Sequence, residues 1–191
     1  MFFIQNILVT MRARRREIFR SLKRLWHGLV RGLKSCLRDR QPRVTIQRKQ
    51  GCRLAVRPFQ QWRAYSCTAG VLQSLHHYHT GARLSHRKAI GSTGCRPKGA
   101  TLKQVAKVMK RQHHCTFRPL RDSAAIRRAL RAGSPVLAGD NETYEHDHAI
   151  LLIGHTRKGF WLVDPAIGAH RWRSEKRLMR TSDEFIAVSK Q

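Results

Sequence analysis

The chain has 191 residues, room for one domain with an extension or for two small domains, which excludes both a stapled mini-protein and a long repeat array. Hydrophobic residues at 41% and charged residues at 26% lie near the averages for globular chains and exclude global disorder. The outlier is charge: 39 Lys and Arg against 11 Asp and Glu leave a formal +28, so an anionic neighbour is expected.

The excess runs through the whole chain. Residues 1–50 carry 14 basic and 2 acidic residues and residues 51–191 carry 25 and 9, so the first stretch is about twice as dense. An Arg-rich excess also follows from biased base composition, and nucleic-acid binding is therefore a secondary expectation. The five cysteines, Cys36, Cys52, Cys67, Cys95 and Cys115, are odd in number and lack a C-x-x-C spacing, which argues against a disulfide framework and for a reducing compartment. Cys95, His113, His114 and Cys115 are the one cluster with metal-ligating residue types. Adjacent His113 and His114 do not easily face one tetrahedral ion, so neither metal nor cofactor is expected.

In chain order, residues 1–11 are apolar in part, but no basic residue precedes the run and Gln5 and Asn6 interrupt it. It reads as neither a cleavable signal peptide nor a membrane span. Residues 12–38 then repeat Ile18, Leu22, Leu25, Trp26, Leu29, Leu33 and Leu37 at steps of three and four, with Arg and Lys on the other faces. This pattern predicts a basic amphipathic helix suited to an anionic membrane surface or to a protein partner, hence a cytoplasmic protein, peripheral at the inner membrane. Residues 41–50 read as a linker with one short strand at Val44–Gln47. The predicted division is an extension over 1–50 and a folded domain over 51–191, starting near Cys52.

Within that domain, Ser66–His79 predicts a helix stopped by Gly81, and Thr101–Arg111 a second one opened by a Thr101/Gln104 capping box. A third starts at Asp122 or Ser123 and ends at Gly133. Short β-rich segments follow at Val136–Ala138, His148–Ile153, Phe160–Val163, near His170–Trp172 and at Phe185–Val188. Helices first and antiparallel strands later give an α+β class.

Three segments carry candidate chemistry. Cys67 opens an apolar-striped helix, where unpaired N–H groups and the positive dipole end favour a thiolate; Gln61 lies six residues before it. A buried, unreactive cysteine is the plainer alternative. His148 starts a strand apolar enough to be buried on both faces, and its imidazole could hold a thiolate and later protonate a leaving amine. His146 competes for that role from the preceding loop. Asp164, followed by Pro165, closes the next strand. A short loop over 155–159 makes the two strands a hairpin and returns Asp164 to His148, where a carboxylate orients the ring; a simple Asp-Pro turn is the alternative.

The Gln six positions before the Cys, the His ahead of an apolar run ending at Gly154, and the Asp-Pro pair together resemble the papain-like cysteine peptidases, in the branch of bacterial, bacteriocin-processing double-glycine leader peptidases (C39-like). Ala89–Ala106, with Ile90, Gly91 and Gly99, is similar to that branch's mid-domain, and Gly133-Ser134-Pro135-Val136 to its approach to the histidine strand. The resemblance covers about residues 58–186. It implies a papain-like fold, a helical part carrying the Cys and an antiparallel sheet carrying the His and Asp. It further implies Cys67 as nucleophile, His148 as general base and acid, Asp164 as its orienter, and Gln61 with the Cys67 N–H as oxyanion donors, acting on a peptide or protein substrate. Ser66 and Thr68 stand where the leader peptidases tend to have Asp and Gly, and no transporter domain follows. The same triad also suits deamidation or acyl transfer, and a non-catalytic basic module holding membrane or nucleic acid is the alternative class. Four acids, Asp140, Glu142, Glu145 and Asp147, precede His148. They suggest a loop that favours a cationic peptide or holds the basic N-terminal segment across the site.

Overall fold

The computed structural model describes residues 44–47, 51–141 and 147–190. The apolar start, the amphipathic stretch over 12–38 with its membrane contact, His146, Glu142 and Glu145 lie outside the described residues. Pro42–Gln191 form one compact unit. In it, β1 (Val44–Gln47) and β2 (Gly51–Leu54) are followed by α1 (Cys67–Thr80), α2 (His86–Thr93), α3 (Leu102–His113), β3 (Cys115–Leu120) and α4 (Ser123–Arg131). Then come β4 (Val136–Asp140), β5 (His148–Thr156), β6 (Gly159–Asp164), β7 (Ala169–Ser174), α5 (Glu175–Thr181) and β8 (Phe185–Lys190). The class is α+β, as predicted. No described helix is long and apolar enough to cross a membrane.

All described strand pairings are antiparallel, in the order β1-β2-β5-β4-β8-β3, with β6 joining β5 to β7. β5 is the hub. It pairs with β2, β4 and β6, and every residue but Thr156 is buried, the pattern expected of a continuous apolar strand covered on both faces. Against it packs α1, with Val71, Leu72 and Leu75 fully out of solvent. Each such side chain contributes about 1.5–3 kcal/mol of burial.

The helix ends follow the local chemistry. Thr101 Oγ1 accepts from Gln104 N at 3.3 Å while Gln104 Oε1 accepts from Thr101 N at 2.6 Å, the reciprocal cap read from the sequence. α3 continues past Arg111 to His113 because His114 takes the left-handed conformation, φ 51°, and closes the turn onto Met109 O. Asp122 Oδ1 accepts from Ala125 N at 2.7 Å and starts α4. Gly81, at φ 71°, ends α1 as predicted.

The short strand expected at Val44–Gln47 is β1, and its partner β2 starts at Gly51. Other boundaries differ. β5 runs to Thr156 and β6 starts at Gly159, leaving a tighter turn than the predicted 155–159 loop. Asp140, read as part of an acidic loop, ends β4 instead; its carboxylate is buried and pairs with Arg173 at 2.8 Å, because an enclosed charge is kept only with a partner.

Candidate active site

The N-terminus of α1 is built by contacts distant in sequence. Ser66 occupies the N-cap position, yet its side chain accepts nothing from the helix. Its Oγ instead accepts from Arg63 N at 3.1 Å and lies 2.9 Å from Arg63 O and 3.1 Å from His86 Nε2, the two acceptors within reach of its one proton. His86 Nδ1 lies 2.7 Å from Gln73 Oε1, which can only accept, so Nδ1 carries the proton and Nε2 is the acceptor side of a neutral ring. Burial of His86 likewise holds its pKa below 6.5. The serine that would ordinarily satisfy the first turn is thus drawn aside, and the positive end of the helix is directed at the next residue, Cys67.

Burial alone would push the Cys67 thiol up. A hydrogen bond with the His148 side chain, the backbone amides of Ala149 and Thr68, and the charge of His148 outweigh it, so the thiol titrates below its ordinary 9.0. Cys52, Cys95 and Cys115 go the other way, raised chiefly by burial, Cys115 to about 11. Among the described cysteines only Cys67 has a stabilised thiolate.

The β5–β6 hairpin supplies the other two groups. Leu151 pairs with Val163, which sets Asp164 one step further on, opposite Ile150, and two residues along the same face from His148. The side chains meet: His148 Nε2 is 2.9 Å from Asp164 Oδ1. With Nε2 so engaged, Nδ1 is the nitrogen left for the Cys67 thiol. Oδ1 also accepts from Ala166 N at 3.0 Å, and Oδ2 accepts from Arg171 Nη1 at 3.2 Å. Burial by itself would raise the Asp164 pKa, but the His148 hydrogen bond and charge, with Ala166 and Arg171, bring it down to about 2. Burial would likewise lower that of His148; Asp164 and Cys67 together lift it to about 9. Such an arrangement can hold a thiolate beside an imidazolium at neutral pH and use both in acyl transfer.

Gln61 lies at the approach to α1, its backbone N donating to Pro165 O at 2.8 Å, next to Asp164. Its side-chain amide donates to Arg63 O at 3.0 Å and Ala64 O at 2.8 Å, so both hydrogens are engaged with backbone carbonyls. A cleft of about 900 Å³ opens over Cys67 and His148, walled by Tyr65, Lys98, Asn141, Asp147, Asp183 and Glu184. Of the acids named from sequence, Asp147 lines this cleft; Asp183 and Glu184 were not singled out. Arg171 and His86 were also missed, because their partners Asp164 and Ser66 are identified only by folding. A bond to an Asp from a residue of the neighbouring strand carries no sequence signal. Among the described residues no group of three or more His, Cys, Asp or Glu is placed to hold a metal. Cys95 Sγ donates to Tyr65 O at 3.0 Å and Cys115 Sγ to His113 O at 3.8 Å.

No family model matches the chain, and no curated protein matches it in sequence. Solved structures do match in fold. The peptidase domain of Streptococcus ComA, a bifunctional ABC transporter involved in quorum sensing, superposes with a TM-score of 0.62 at 15% identity, over 71% of this chain and 99% of its own. A double-glycine motif protease from an AMS/PCAT transporter, solved with its leader peptide, gives 0.59 at 16% identity, over 78% and 99%. A Bacillus anthracis protein assigned to the C39-like peptidases gives 0.56 at 14%, over 72% and 96%. The fold is therefore that of the C39-like, papain-type peptidase domains.

Proposed function

We propose that a chain with this fold is a cysteine peptidase whose catalytic groups are Cys67, His148 and Asp164. The observation that carries the proposal is the placement of one depressed thiol at a helix N-terminus, within hydrogen-bond reach of an imidazole that a buried carboxylate holds at 2.9 Å. Cys67 Sγ attacks the carbonyl carbon of a peptide bond, giving a tetrahedral oxyanion. As the C–N bond breaks, the imidazolium proton of His148 passes to the leaving amine, and a thioester remains. Water, deprotonated by the now neutral His148, then attacks the thioester, and collapse of the second tetrahedral intermediate releases the acid and restores the thiolate beside the imidazolium. Asp164 orients the ring through Nε2 and stabilises its charge. The Cys67 N–H at the helix terminus is one oxyanion donor. Gln61 is the second, and to donate it exchanges one of its bonds to Arg63 O or Ala64 O for the developing charge.

Asp147, Asp183 and Glu184 on the cleft wall, beside Lys98 and the catalytic His148, favour a peptide carrying Lys or Arg beside the scissile bond. The test is a mass-spectrometric digest of a peptide library by the wild-type chain beside Cys67→Ala. New termini with the wild type and none with the variant are expected. An inert wild type, or equal products from both proteins, contradicts the proposal.

A further inference from the structure

On the sheet face opposite the Asp164 side chain, four strands contribute one row. Arg53 of β2 registers with Gly154 of β5, Gly154 with Trp161 of β6, and Trp161 with Trp172 of β7. Strand alternation turns Trp161 and Trp172 to the reverse of the face bearing Asp164 and Arg171. Gly154 leaves the row open at its second position: a Cβ there would meet Arg53 Cβ at 3.2 Å and its Cα at 2.8 Å. Through that opening the Arg53 guanidinium lies over the Trp161 ring, 4.4 Å from its centroid. At the other end the Trp172 indole covers Gly159, where a Cβ would sit 2.8 Å from Cζ2, and its Nε1 donates to Thr156 Oγ1 at 3.4 Å. At both glycines the backbone of the neighbouring strand also comes too close for a side chain, through Cys52 O at Gly154 and Arg173 O at Gly159.

The row forms part of a hollow of about 1090 Å³ whose rim adds Arg157, Lys158 and His170. Among the described residues no acid lines it, and none of the lining residues is shared with the cleft at Cys67. Trp172 is 44% exposed, an open aromatic surface in a hollow that Arg53, Arg157 and Lys158 also line. Three inter-strand steps make the row about 14 Å long, enough for a few nucleotides. We propose that this hollow binds single-stranded nucleic acid. Bases stack on Trp172 and on the Arg53 guanidinium seated over Trp161, and Arg53, Arg157 and Lys158 take the phosphates.

The alternatives fit less well. A basic peptide meets only like charge there. An acidic peptide satisfies the cations but leaves the indoles unused, and a lipid surface calls for a protruding patch, whereas these rings line a concavity.

The test is fluorescence anisotropy of the full chain at about 0.15 M salt with a labelled oligothymidylate of about twelve nucleotides and an abasic strand of equal charge. A chain of this charge binds both; the difference is the readout. Thymidylate is expected to bind about tenfold tighter than the abasic strand. Trp172→Ala removes that preference, Trp172→Phe keeps most of it, and Lys158→Gln weakens both strands alike, with circular dichroism reporting the fold of each variant. Equal binding of the two strands by the wild type overturns the proposal without recourse to any variant. So does an unchanged preference in Trp172→Ala, or an effect of Trp172→Ala confined to phosphatidylglycerol vesicles.

Discussion

Asp164 receives hydrogen bonds from His148, Ala166 and Arg171, and its replacement separates catalysis from folding. In Asp164→Asn the amide still fills the space, but the imidazolium loses its counter-charge and fixed orientation. Peptide turnover in steady-state assays is expected to fall about 10²-fold, the cost of misplacing a reacting group by about 1 Å. The titrations fix the pH range. The thiolate–imidazolium pair exists from the depressed ionisation of Cys67 up to about 9, where His148 loses its proton, so kcat/KM declines above about pH 9. A profile still rising there contradicts the assignment. Stability obeys the same linkage. The Asp164 pKa is lowered to about 2 against roughly 3.9 in an unfolded chain, so its stabilisation is complete above about pH 4 and is lost as pH falls through 2. Urea midpoints of wild type and Asp164→Asn should therefore converge on acidification through that window. His148, raised to about 9, contributes the opposite way: its share is present below about 6.5 and disappears as pH rises through 9.

Between α1 and the end of β6 the fit is close enough to be tested with one methyl group. Gly70, in the first turn of α1, faces Pro165; a Cβ there would lie 2.8 Å from Pro165 Cβ and 3.2 Å from Phe59 O. Alanine in a helix interior ordinarily gains about 1 kcal/mol over glycine. Here the clash falls on the residue next to Asp164, and Gly70→Ala is expected to lose that gain in thermal melts and to lower turnover about tenfold or more. The elements that make this contact were legible in the sequence. β5 is an unbroken apolar run, α3 announces its start with Thr101 and Gln104, and Cys67, His148 and Asp164 each stand at the end of a strongly patterned segment. Elsewhere the pattern was too thin. β3 contains Pro119 and is mostly solvent-facing, which an edge strand tolerates and a sequence reading takes for loop. α2 buries only His86, Ala89 and Thr93, and α5 only Leu178 and Thr181, too few points for a period. The inward turn of Asp140 depends on Arg173, 33 positions on, and so follows from the sheet and not from local sequence.

Across the whole molecule, the excess of positive charge is interrupted at the cleft, where Asp147, Asp183 and Glu184 stand together. On a body of +28 such a wall gives selectivity by local pairing, since the long-range field repels cationic peptides. The double variant Asp183→Asn/Glu184→Gln is expected to lower kcat/KM about fivefold for Lys- or Arg-containing peptides, the equivalent of about 1 kcal/mol, and to leave neutral ones unchanged. Equal losses for both peptide classes at low and high salt would remove the electrostatic explanation. All of the proposed chemistry depends on the Cys67 sulfur being anionic near neutrality while Cys52, Cys95 and Cys115 stay protonated, and that is directly measurable. Iodoacetamide labelling at about pH 6, followed site by site by peptide mass spectrometry, should modify Cys67 at least tenfold faster than Cys52, Cys95 and Cys115, with the advantage lost in His148→Ala. Uniform labelling of the native protein would contradict the account.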